Sequence, residues 1–307
     1  MNPVPRLTVL FFLAILADSL LSAPDANAIM ERSDVVGKVV GSAADLTMTL
    51  TNATGQERVR QLISLTHLQA NGRGNQRLLR FTHPADIKGT VTLLIEHRGS
   101  EDDMWIYLPA MKKVRRLVAT NKRDSFVGSD LSFGDIIGHP PADWHHAWVR
   151  EESLDGTLCD VIESTPKSDA VRSNTGYGKL LSWIARVSHL SLRTDYWDES
   201  GVLLKTIRAS NVRQVDAVSD KWQFMRLEGV NHQTKHRTLL VFNRFEVRSD
   251  LPEAAFLIGD RACLEYLSPR CQIYKHPRFP VFQKYWPHSQ NFNEIGHIIF
   301  VKVISTK

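Results

Sequence analysis

The chain has 307 residues, 43% of them hydrophobic, a formal net charge of +5 and three cysteines. That length carries one large β-rich domain or two smaller ones, each with a sizeable core. Three cysteines exclude a disulfide-built scaffold, and beyond the N-terminus no stretch is long and apolar enough for a membrane helix.

The first elements concern export. "MNPVPR" is a short positive start, residues 7–16 ("LTVLFFLAIL") are an apolar run too short to span a bilayer comfortably, and "ANA" at Ala26, Asn27 and Ala28 is a small-x-small cleavage triad. The pattern predicts a secretory signal peptide over residues 1–28, cut before Ile29. No cysteine stands at the cut to accept an acyl group, so the exported form is expected to be soluble, periplasmic and not lipid-anchored. Loss of Arg6, Asp18 and Asp25 raises the formal charge to +6. That surplus favours anionic partners such as headgroups or an acidic protein face, and nucleic acid is not expected for an exported chain.

Next, "IMERSDVVGKVVGSAADL" predicts a helix, with Ser33 and Asp34 as candidate caps. Strand signals then dominate. Leu46, Met48 and Leu50 alternate with threonines, and five further strands follow through "ERVRQLISLTHLQA", "QRLLRFTH", "TVTLLIEH", "MWIYL" and "VRRLVAT", joined by short turns. Local connections of this kind make an antiparallel meander. Residues 122–148 break the rhythm and read as a short helix and loop. Strands resume in "WVREESLDGTLCDVIESTP", continue through residues 183–216, and finish with "KWQFMRLEGVNH" and "RTLLVFNRFEVRSD". The expected fold is mainly β (β-rich α+β): a curved antiparallel sheet of about ten or eleven strands, an unclosed barrel with the N-terminal and central helices as lid or plug. The assigned units are residues 29–261 as the domain and residues 262–307 as an atypical extension dense in His, Pro and aromatics.

Chemical motifs are sparse. Gly-x-Ser-x-Gly, His-Glu-x-x-His and phosphate loops are absent, so neither an enzyme nor a bound cofactor is expected. His145 and His146 lack a third metal ligand, while His232 and His236 fall in a hairpin turn. Glu101, Asp102 and Asp103 read as a solvated tip. Cys159 reads as a small core residue, with Cys263 and Cys271 able to pair across a short loop. Trp105 and Tyr107 alternate with Met104, Ile106 and Leu108, so that strand is either buried on both faces or lines a cavity with one. Lys112, Lys113, Arg115 and Arg116 are either a charged edge that deters aggregation or a docking patch for an acidic partner.

"RFTHPADIKGTVTLL", "DDMWIYLPAMKKVRRL", "RDSFVGSDLSFGDI", "YGKLLSWIARVSHLSLRTDYWDESGVLLKT", "MRLEGVNHQTKHRTLLVF" and "VRSDLPEAAF" together resemble the outer-membrane lipoprotein-sorting family, the group similar to the periplasmic carrier LolA. The likeness runs from about residue 45 to 256. It implies an unclosed barrel that holds acyl chains of a lipid or lipoprotein. It also implies transient membrane contact and work beside an inner-membrane exporter of the resistance-nodulation-division type. On that reading Trp105, Tyr107, Leu190, Leu192 and Tyr196 are cavity wall, and Leu131, Phe133 and Ile136 are lid. An adaptor with a filled core is the alternative. The family pattern ends soon after "LPEAAF", so the last fifty or so residues depart from it, as an added element or a frame change.

Overall fold

A computed structural model describes residues 23–251 and Phe256. The hydrophobic leader, residues 262–307, Cys263 and Cys271 lie outside the described residues.

Thirteen strands form one antiparallel sheet. The first six are β1 (Gly41–Thr51), β2 (Glu57–Leu68), β3 (Asn75–His83), β4 (Val91–Ile95), β5 (Asp103–Leu108) and β6 (Lys113–Leu117). The other seven are β7 (Trp144–Leu154), β8 (Thr157–Pro166), β9 (Tyr177–Ala185), β10 (Ser191–Asp198), β11 (Leu203–Asp216), β12 (Lys221–Asn231) and β13 (Arg237–Val247). Each half is a meander, and β13 returns to pair with β1, so the edges are β6 and β7 and the sheet stays open.

The count exceeds the expected ten or eleven because tight hairpins divide apparently continuous runs. Between β7 and β8 the whole turn is Asp155 and Gly156, both at positive φ (49° and 82°), the backbone a two-residue hairpin needs. The first helix, α1 (Ala26–Val36), starts three residues before the expected cut. Asp25 caps it, accepting from the Asn27 and Ala28 amides, so Ser33 and Asp34 are helix interior rather than caps. Between the half-sheets lies an insert of residues 119–143 with two 3-10 turns (Ala119–Arg123 and Phe126–Gly128), helix α2 (Phe133–Ile137) and a third 3-10 turn (Pro141–Asp143). A further helix, α3 (Asp169–Thr175), has no counterpart in the sequence expectations.

Strand alternation sorts the apolar residues onto two faces. Ala44, Leu46, Met48, Leu62, Leu79, Leu94 and Met104 pack with Phe126, Phe133 and Ile137 of the insert. Ala43, Leu65, Leu78, Leu93 and Ile95 belong to a second cluster with Leu251 and Phe256. The insert therefore covers one face, here the inner face, and the chain leaving β13 covers the other. α1 shares the inner side, where Ala26 and Ile29 pack on Ile162 and Ile184.

Candidate functional site: a lid seated in the curved sheet

Two adjacent insert residues report the curvature. Lys205 of β11 pairs with the Asp135 carboxylate, and the Arg77 guanidinium of β3 donates to the Ile136 carbonyl. Those strands are five positions apart in the sheet, about 24 Å if it were flat. Side chains reach neighbouring atoms from both only because the sheet wraps around the insert.

The insert sits as a lid. Ser132 caps α2 in a capping box, its hydroxyl accepting from the Asp135 amide (3.1 Å) while the Asp135 carboxylate accepts from the Ser132 amide (2.7 Å). That box fixes the helix whose apolar side chains enter the sheet. Phe133 meets Phe126 edge-on at 5.3 Å, and both are buried. Leu131 enters a second cluster with Trp144, Tyr177, Leu180, Tyr196 and Ile207, and Ile136 touches both clusters. Gly229 on β12 makes room for Leu131, since a Cβ there would lie 3.1 Å from Leu131 Cδ2.

Polar anchors hold this lid down. Asp135 is almost wholly buried, and it accepts from Lys205 Nζ and from the Tyr177 hydroxyl at 2.9 Å. Lys205, only 4% exposed at its side chain, lies 5.2 Å and 5.3 Å from the Tyr177 and Tyr196 ring centres. Burial alone would raise the Asp135 carboxyl. The adjacent Lys205 ammonium outweighs that and, with His139 at 3.5 Å, holds it well below the ordinary carboxylate range. Burial, and then the Asp135 charge, push the Tyr177 hydroxyl well above its ordinary value. Asp130 is tied to β13 by Thr238, whose hydroxyl donates to the carboxylate (2.7 Å) and accepts from the amide (2.9 Å). The Arg60 guanidinium takes the Val127 carbonyl. Val127 is a β-branched residue in the left-handed region (φ 51°, ψ 40°), a strained backbone that the closed lid maintains. Lys122 pairs with the buried Asp102 at 2.6 Å, so Asp102 is a lid anchor and not part of a solvated tip.

The predicted wall residues divide between the faces. Tyr196 is on the inner side with Leu131, and Phe133 and Ile136 belong to the insert that packs there. Trp105 and Tyr107 are not with them. They pack on the outer cluster beneath Leu251 and Phe256, because Met104 takes the inward parity of β5. Leu192 also faces outward, packing near Trp183 and Val161. A bulge between Ser191 and Arg193 breaks the alternation that would have aligned it with Tyr196. Leu190 is buried at the β9–β10 turn, outside these apolar clusters. The basic residues flank edge strand β6, but on both faces: Arg116 lies over the Trp105 ring and pairs with Asp103 at 2.7 Å, while Arg115 alternates to the other side and Lys112 and Lys113 are exposed. The groups missed from sequence are Lys205, Arg77, Arg60, Asp135 and Tyr177. A charge at an inward strand position, as in "VLLKTI" and "RLLRF", was the available signal.

No trio of His, Cys, Asp or Glu among the described residues is placed to hold a metal. Where α2 meets α1 and the end of β4, a polar cleft lined by Asp34, Glu96, His97, Asp102 and His139 has about 10 Å3 of free space, room for about one water. With the lid seated, this cleft does not admit an acyl chain.

An outer membrane lipoprotein-sorting protein domain from Vibrio parahaemolyticus has the same fold, at 28% identity over 75% of this chain and 95% of that one (TM-score 0.69). A DUF1329 family protein from Desulfovibrio piger matches at 27% identity over 76% and 95% (TM-score 0.70). A family model described as "Uncharacterized protein" covers residues 73–258, more than half of the chain. The chain belongs to the family that this model describes, and it is similar to the lipoprotein-sorting and DUF1329 domains. A LolA superfamily protein from Nitrosomonas europaea shares the fold at 22% identity over 76% of this chain and 97% of that one (TM-score 0.58). No curated protein matches. The open curved sheet is thus the fold that these structures share, and no helix among the described residues is long and apolar enough to cross a membrane.

Proposed function

We propose that this LolA-like protein is a periplasmic carrier and not an enzyme. It takes the acyl chains of a lipid or lipoprotein against the inner face of its sheet and moves them between the inner and outer membranes. One observation carries the reading: the inner face is apolar, and it is filled by a separate segment held through a few side chains rather than by strand pairing. Phe126, Leu131, Phe133 and Ile137 occupy the place an acyl chain would take. When the lid lifts, ligand burial replaces lid burial at about 25 cal/mol per Å2 on each side of the exchange. The two terms nearly cancel, which gives the moderate affinity a carrier needs in order to release. The strained Val127 favours lifting.

Delivery needs a donor. For that role we propose an inner-membrane exporter of the resistance-nodulation-division type, contacting the exposed cations Lys112, Lys113 and Arg115 beside the β6 edge. Mass spectrometry of the organic extract of protein purified without detergent tests the carrier reading. Acyl species near one equivalent are expected. An empty extract, together with no binding of a fluorescent fatty acid, would remove the carrier and leave an adaptor with a filled core.

A further inference from the structure

The lid carries an anion as well as apolar groups, and the two cannot leave separately. Asp135 lies on α2 two residues from both Phe133 and Ile137, so admitting a chain where those side chains sit also withdraws the carboxylate from Lys205. Lys205 is then left on the inner face between Tyr177 and Tyr196, beside a Tyr177 hydroxyl that has lost its acceptor. Arg77 and Arg60 lose the Ile136 and Val127 carbonyls in the same movement. Glu96, the carboxylate beside Arg77, is committed to Lys38 at 2.8 Å, and Asp86 lies beside Arg60, so the lost anion matters most at Lys205. Asp102 is occupied by Lys122 and becomes available only if that turn lifts too. An unpaired ammonium in an apolar, aromatic-lined seat is strongly disfavoured.

We propose that the inner face receives an anionic amphiphile. Its carboxylate or phosphate oxygen binds Lys205 and the Tyr177 hydroxyl in the place Asp135 vacates, and its acyl chain replaces Phe126, Phe133 and Ile137. The closed lid is then a built-in copy of the ligand, anion and apolar group together. This rests on the carrier reading and adds the charge of the ligand to it. A neutral acylated ligand would leave Lys205 without the carboxylate it holds in the closed state.

The test uses matched pairs of pyrene-labelled probes on the purified chain. One pair is a fatty acid and the alcohol of equal length; the other is a phosphatidylglycerol and the diacylglycerol of equal chains. The anionic member of at least one pair should bind about tenfold to a hundredfold more tightly, the range of one charge-assisted hydrogen bond. The pair that shows the preference identifies carboxylate or phosphate as the source. Lys205→Met should bring the ratio close to one, and Lys205→Arg should keep it. Tyr177→Phe, which retains the ring, loosens the lid for both probes alike and should lower the ratio of anionic to neutral affinity several-fold. It serves if Lys205→Met does not fold by circular dichroism. Equal affinities within both pairs, or a preference that survives both Lys205→Met and Tyr177→Phe, would overturn the anion site while leaving the carrier standing. If none of the four probes bound either the natural chain or Phe133→Ala, the carrier reading itself would fall, and this one with it.

Discussion

Phe133→Ala measures how strongly the lid competes with a ligand. The ring is 95% buried between Phe126 and the inner face. Truncating such a phenylalanine in a core costs about 3–5 kcal/mol. Here most of the loss falls on the closed lid, because once the lid is up the ring keeps only its contact with Phe126 of the same insert. The sheet keeps its strand pairing, so circular dichroism should show the β content retained, with a lower melting temperature. A binding-competent open state that is rare in the natural chain becomes commoner by the same free energy. At about 1.4 kcal/mol per factor of ten, that is roughly two to three and a half decades, reached only until the open state predominates. Titration of a pyrene-labelled fatty acid into natural and Phe133→Ala protein should therefore show tighter binding to the variant. An intact spectrum with unchanged or weaker binding would refute the competition, and Phe133 would be ordinary core.

Acid should loosen the lid through Asp135. Its carboxyl is held well below the ordinary range in the folded chain, so its pairing contributes fully above the unfolded value of about 3.9 and is lost as pH falls from there toward the folded value. Asp135→Asn should be less stable at pH 7 and flatter between pH 5 and 3 in urea unfolding; parallel pH profiles would remove Asp135 as the anchor. Gly229→Ala puts a methyl 3.1 Å from Leu131 Cδ2, and an overpacked contact of this size costs about 1 kcal/mol or more. The melting temperature should fall and probe affinity rise several-fold, whereas no change in either would show that Leu131 is not seated there. Truncation after Arg261 should keep one cooperative unfolding transition. Truncation after Asp250, which strips Leu251 and Phe256 from the outer cluster, should cost about 3 kcal/mol or more, and equal stability of the two would contradict the outer core.

Alternation made the sheet legible, because a strand's period of two records that each face is either buried or wet. It does not record which buried face meets the lid. Met104 and Trp105 look alike in sequence, and only the position of the insert makes Met104 inward and Trp105 outward. One bulged residue was enough to reverse Leu192, since a register slip exchanges the faces. The buried side of the insert is legible as apolar spacing in "LSFGDII", at Leu131, Phe133 and Ile136. Its anchors were hidden for a different reason. Asp135 and Lys205 are 70 residues apart, and each alone reads as a solvated charge. A buried charge becomes recognisable only beside its counter-charge, and sequence distance conceals the pair. The same fact separates a lid from a core in this fold. Core residues such as Leu94 and Met104 are held by strands that cannot leave the sheet, whereas Phe133 is held by Asp135 and Ile136 through Lys205 and Arg77. Those contacts break without unpairing a strand. On the proposed carrier reading the inner face exchanges its filling while the sheet stays folded, and Lys205, which keeps the lid down, is the group left to whatever replaces it.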